Sequence, residues 1–200
     1  MNRLVRQGFT MVELLIVVVI IAILVAITAT MYQNAQVQAR DTQIKDAADK
    51  FADAISLWSA NHSGAKPKGG WATAGSNSLN AAKDDCVAGA NGFQAYKTID
   101  VSTTYDCTVG DVMVSSGYLT APVFNNLPIN TAYTTNRYVF MIYPCTNNAN
   151  HWILSYSLED PTSTDTANYN QIHTGCATPV ADLSFFQTNG MRGAILIKFA

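Results

Sequence analysis

From Leu14 to Ile27 every residue is apolar, and between Phe9 and Met31 the one charged side chain is Glu13. A stretch of roughly 17–25 predominantly apolar residues is long enough to cross a bilayer as a helix. No later segment of the 200 residues approaches this composition. The segment therefore has to be covered by lipid or by other apolar helices, or be removed, and the rest of the chain reads as a separate polar domain.

Charge is segregated in the same way. Arg3 and Arg6 are the only charged residues among the first eight. Without that stretch the chain keeps ten bases against fourteen acids, a formal charge of −4 instead of −2. A basic start before an apolar run stays on the cytoplasmic side and directs the downstream chain across the membrane. Cys86, Cys107, Cys145 and Cys176 all fall in the part that would be exported. An even number in an oxidising compartment, without a C-x-x-C pair, points to disulfides, for which three connectivities exist. Cys86–Cys107 with Cys145–Cys176 gives the two shortest loops that do not cross.

Glu13 distinguishes among three readings of the N-terminus. A secretory signal cut near Ala26-Ile27-Thr28 or Thr28-Ala29-Thr30, or a plain membrane anchor, fits the apolar run but gives the carboxylate no purpose. Burying a charge in a membrane is costly. Compensation can come from the helix N-terminus, whose unpaired N–H groups favour an acid in the first turn. It can also come from an amine created by processing: a cut between Gly8 and Phe9 would leave an α-amino group about 6 Å along the helix axis from Glu13. In a staggered bundle that amine can meet the Glu13 of a neighbouring copy.

The run Gly8-Phe9-Thr10-Met11-Val12-Glu13-Leu14-Leu15-Ile16-Val17-Val18 resembles the type IV prepilin motif: a short basic leader ending in Gly, then Phe-Thr, a Glu four residues after the Phe, and a long apolar run. The resemblance covers about the first quarter of the chain. It implies cleavage after Gly8 by a prepilin peptidase, N-methylation of Phe9, and a role for Glu13 in registering an incoming subunit. It also implies that the membrane-held precursor polymerises with copies of itself, with minor pilins and assembly machinery, into an extracellular helical filament. Such filaments serve adhesion, motility or secretion. Many pilins carry a helix-breaking Gly and Pro in this region. Aligning on Phe9 puts Ala22 and Thr30 there, which predicts a helix that resists melting. A minor pilin or secretion pseudopilin has the same N-terminus, whereas a signal-anchored binding domain or enzyme would carry it by chance.

Beyond the apolar run, Ile44, Ala48, Phe51, Ile55 and Trp58 recur at steps of three or four, one face of an amphipathic helix. Stop signals follow at Asn61, Gly64 and Pro67. A helix from about 10 to 61 would be roughly 75 Å long. Residues 63–111 read as a loop region containing Trp71, with a short helix over Asp111–Tyr118 ended by Gly117. Tyr138–Tyr143 and Trp152–Leu158 read as an antiparallel hairpin, and Ala194–Phe199 as a last strand. The expectation is an α+β fold: leader 1–8, transmembrane helix 9–31, amphipathic helix 32–62, loop 63–111 and a β-rich head and C-terminal region 112–200, with the helix packed on an antiparallel sheet. The resemblance implies the same architecture, and in it Cys145 and Cys176 are similar to the pair that closes the C-terminal loop of many pilins. A second bond would be a departure.

No H-E-x-x-H, G-x-S-x-G or Walker-type pattern is present, and His62, His151 and His173 lack the close spacing of a zinc set. No catalytic residue, cofactor or metal is assigned. The acidic loop from Glu159 to Asp165 has oxygen donors of the kind Ca²⁺ takes, with a solvated turn as the plainer reading. Lys66 and Lys68 do not make a phosphate-binding stripe on a net-acidic head, so no nucleic-acid partner is expected. Asn61-His62-Ser63 fits the glycosylation sequon.

Overall fold

The computed structural model describes residues 9–67, 94–96, 109–120, 123, 127–128, 139–188 and 190–199. The chain divides into two units, Met1–Ala39 and Arg40–Ala200. Helix α1 (Met11–Asn61) begins in the first and ends in the second, without a break over 51 residues. It stops where the sequence places its stop signals. Ser63 and Gly64 take positive φ (56° and 79°), and the Gly64 N–H donates to the Ser59 carbonyl at 2.9 Å. A left-handed residue at this point satisfies a carbonyl that the helix leaves unpaired.

The second unit is an α+β domain. Strands β1 (Gln94–Tyr96), β2 (Phe140–Pro144), β3 (His151–Ser157) and β4 (Met191–Lys198) form one antiparallel sheet in chain order. Helix α2 (Val109–Ser115) precedes β2, and helices α3 (Ser163–Gly175) and α4 (Val180–Thr188) lie between β3 and β4. The β2–β3 hairpin is turned by Asn148, whose carbonyl accepts from His151 N–H and whose side chain accepts from Asn150 N–H, at 3.0 and 2.9 Å. Asn favours such turns because its side chain bonds its own backbone two residues on.

Successive strand residues point to opposite faces, and here both faces are buried. On one, Phe140, Ile142, Leu154, Tyr156 and Ile197 pack with Ile44, Phe51 and Ile55 of α1. Phe51 meets Phe140 edge-on at 5.9 Å. On the other, Met141, Ile153, Met191 and Ala194 pack with Tyr169 on α3, Cys176 at its C-cap and Phe186 on α4. A large apolar side chain contributes about 1.5–3 kcal/mol when fully buried. Where the β3–β4 register shifts past the extra residue Arg192 of β4, Gly193 lies opposite Tyr156, and a Cβ there would stand 2.0 Å from the ring.

Three expectations need correction. The region 112–200 is not simply β-rich, because α3 and α4 fill most of the chain between β3 and β4. Their sequences hide this: α3 buries only Tyr169 and His173, and its Ser, Thr and Asn residues are weak helix formers. The loop region 63–111 contains β1 and the start of α2, which runs Val109–Ser115 instead of Asp111–Tyr118. Gly117, with φ 77°, still marks the stop. The acidic loop from Glu159 to Asp165 is not a solvated turn; ion pairs tie it to Arg40 and Lys45 of α1.

Candidate functional site

The start of α1 is built by two residues. Thr10 precedes the helix and its hydroxyl accepts from Glu13 N–H at 3.3 Å, while Glu13 Oε2 accepts from Thr10 N–H at 2.9 Å and from Thr10 Oγ1 at 2.8 Å. This reciprocal arrangement is a capping box: each side chain satisfies a backbone donor that the first turn would leave open. It also sets an anionic group at the positive end of the helix dipole. Both bonds made by the carboxylate engage Oε2, and among the described residues Oε1 keeps its lone pairs for another donor. Phe9, immediately before the cap, is 79% exposed.

After Glu13 the helix is exposed along its apolar run. Leu14 is 62% exposed, Ile20 51% and Ile27 51%, and α1 is the one helix among the described residues long and apolar enough to cross a membrane. Thr28 does not interrupt it: its hydroxyl donates to the carbonyls of Leu24 and Val25 at 2.9 and 3.1 Å, so its own donor is paired within the helix. The backbone is helical through Ala22 and Thr30.

In the second unit, Cys145 after β2 and Cys176 at the C-cap of α3 are joined, with Cα atoms 4.6 Å apart. Thr146 N–H and Asn147 Nδ2 donate to the carbonyls of Cys176 and Gly175 at 3.1 and 2.8 Å, so a disulfide and two hydrogen bonds hold the hairpin turn to α3. Gly8, Trp71, Lys68, Cys86 and Cys107 lie outside the described residues.

The acidic loop is committed to α1. Arg40 Nε and Nη2 donate to Glu159 Oε1 and Oε2 at 2.9 and 2.7 Å. Asp41, 5% exposed, accepts from Glu159 N–H and Asp160 N–H at 2.8 and 2.9 Å, and Lys45 pairs with Asp165 at 2.7 Å. Asp165 also completes a capping box with Thr162 at the start of α3. Burial opposes its ionisation, but the bonds from Lys45 and Thr162 outweigh it and hold the carboxyl below its ordinary value. Among the described residues no group of three or more His, Cys, Asp or Glu side chains converges on a metal position.

Thr10 escaped the sequence reading although T-x-x-E before an apolar run is the mark of a capping box. Thr162-x-x-Asp165 is the same pattern at α3. The partners of Arg40, Asp41 and Lys45 had no local signal, because they lie 118 to 120 residues away. Among comparisons with known proteins, a family model described as the prokaryotic N-terminal methylation motif matches residues 3–29. No curated protein and no solved structure matches. The match points to a structural exported protein rather than an enzyme, and to a membrane-anchored precursor. It implies processing by a prepilin peptidase and assembly with pilus machinery. The capped Glu13, the bare apolar helix and this match converge on one identification: the N-terminal segment of the chain carries the type IV pilin and prepilin signature.

Proposed function

We propose that this chain is a structural subunit that is cut between Gly8 and Phe9, methylated on the new Phe9 amine, and polymerised through its N-terminal helix into a type IV pilus-like filament with the heads outside. The observation that carries this reading is the exposed apolar surface from Leu14 to Ile27, headed by one carboxylate whose Oε1 has no partner among the described residues. Lipid satisfies such a surface in the precursor and neighbouring copies satisfy it in the fibre. Helix association in lipid is driven by packing and polar contacts, and a Phe9 amine meeting the neighbour's Glu13 supplies a polar contact that fixes the stagger. The bonds from Thr10 hold Glu13 meanwhile.

The test is mass spectrometry of the mature N-terminus in membrane and sheared-filament fractions of the native host. A chain beginning at Phe9 and dominating the sheared fraction is the expected result; one beginning at Phe9 but scarce there would make it a low-copy pilin or pseudopilin. A start at Met1 or near Thr30 would refute the reading and return the question to the head as a binding domain or enzyme. Replacing Glu13 with Val should leave cleavage intact and lower filament yield, and normal fibres from that variant would remove its registering role.

A further inference from the structure

Charges that the second unit leaves without a counter-ion lie on two different surfaces. The ion pairs among the described residues are Arg40–Glu159, Lys45–Asp165 and Lys50–Asp46. On the exposed face of α1, Asp49 and Asp53 stand one turn apart, about 6 Å along the axis, and neither meets a cation among the described residues. Asp49 is raised above its ordinary value by desolvation and then by Asp53 and Asp46, so a single copy disfavours its ionised form. Strand β4, at one edge of the sheet among the described residues, carries Arg192 and Lys198. Lys198 is exposed and served by water, whereas Arg192 is half-buried and has no ion pair or hydrogen bond from its guanidinium among the described residues. Arg192 is also the extra residue of the β3–β4 register shift, set between the buried Met191 and Gly193. A bulge of this kind re-aims a side chain, and the Tyr156 ring against Gly193 holds the backbone that carries it.

Each surface lacks what the other supplies, and every copy carries both. Two unlike surfaces that fit each other make a heterologous contact, which propagates into an open helical array instead of closing on a pair. A guanidinium is suited to the task, because it is planar, weakly hydrated and able to bond carboxylates through several N–H groups at once. We propose that Arg192 on the β4 bulge of one copy enters between Asp49 and Asp53 on α1 of the next copy, as an ion contact between neighbouring heads. The inference rests on the filament reading and adds to it a named pair of unlike surfaces.

The test is a charge swap in the full chain in its native host, with assembly read from sheared filaments and folding from membrane level and the Cys145–Cys176 bond on a non-reducing gel. Arg192→Asp and Asp49→Arg should each lower filament yield at least tenfold, and the two together, which restore opposite charges across the contact, should recover at least threefold. Lys198→Glu, which alters as much charge about 20 Å away on the same strand, should assemble normally. Parental yield from either single variant, no recovery in the swap, or an equal loss from Lys198→Glu overturns the inference. So does normal assembly of Arg192→Asp with lost binding to dextran sulfate, which would make Arg192 a site for a polyanion. If Arg192→Asp is lost from the membrane, cross-linking decides. Arg192→Cys with Asp53→Cys in one chain should give a ladder of multimers that a reducing agent removes, and either substitution alone should give none. No ladder, or dimers from one substitution alone, which would mean a face meeting its own kind, overturns the inference. A parent chain that starts at Met1 and forms no filament overturns the filament reading itself, a result distinguishable from all of these because each presupposes parental filaments.

Discussion

His173 makes the stability of the head depend on pH in a predictable window. The ring is 2% exposed, beside Tyr169 at 4.3 Å and Phe186 at 5.3 Å, with Nε2 3.2 Å from Ser155 Oγ and Nδ1 3.1 Å from Thr178 Oγ1. Both nitrogens thus have neutral partners, and burial pushes the imidazole from 6.5 down to about 4. The unfolded chain binds the proton first as pH falls, so stability is complete above about 6.5 and declines until about 4. At ~1.36 kcal/mol per unit, the full loss is about 3 kcal/mol, of which about 2.5 kcal/mol has gone by pH 4.5. The assay is denaturant unfolding of the full chain in detergent, followed by tryptophan fluorescence from pH 7.5 to 4.5. His173→Gln, which cannot titrate, should flatten the curve over this range. Asp165 does not confuse the result: its lowered value makes its contribution present above the ordinary carboxylate range and lost only below it. A wild-type curve that is flat from 7.5 to 4.5, or a slope that survives in His173→Gln, would refute the argument.

Asp41→Ala removes the acceptor of two backbone N–H groups from a nearly buried site, and should cost about 2–4 kcal/mol and make the 159–165 loop a site of proteolytic nicking. Limited proteolysis against wild type checks it; an intact loop would show that the Arg40 and Lys45 pairs suffice. Gly193→Ala drives a methyl group into the Tyr156 ring and should lower stability by about 1–3 kcal/mol, whereas Gly175→Ala, with open space around the added atom, should not suffer such a clash. Denaturant midpoints of the two variants decide this. Replacing Cys145 and Cys176 with Ala opens a loop of sequence separation 31, for which the chain-entropy model gives about 3.5 kcal/mol. A midpoint unchanged in the double variant would show that the Thr146 and Asn147 hydrogen bonds hold the turn without the cross-link.

The elements that were legible in the sequence are those whose instructions are local. The apolar run, the stripe from Ile44 to Ile55 and the stop at Gly64 are each contained in a few turns, and α1 follows them from Met11 to Asn61. The β2–β3 hairpin announced itself through aromatic and branched residues around an Asn-rich turn. By contrast, α3 has no apolar stripe to see: it is held by Tyr169 and His173 against a sheet face, by a capping box and by a disulfide. The second buried face of the sheet was likewise invisible, since Ser155 and Ser157 lie on it and read as solvent-facing positions, yet they are 0% and 2% exposed.

The two units solve the same physical problem in opposite ways. In the second, each apolar face finds a partner in the same chain: α1 covers one side of the sheet, α3 and α4 the other, and Glu159 and Asp165 of the acidic loop are matched by Arg40 and Lys45. In the first, the large apolar side chains from Leu14 to Ile27 stand exposed. At about 25 cal/mol per Å² of apolar surface, such a helix could not remain in water, so its stability has to come from outside the chain. The Thr10–Glu13 box and the Thr28 back-bonds show what remains for the chain itself to do: they satisfy polar groups of the helix locally while leaving its apolar surface entirely available. A self-sufficient head on a helix that cannot be self-sufficient is the division of labour that assembly from a membrane requires.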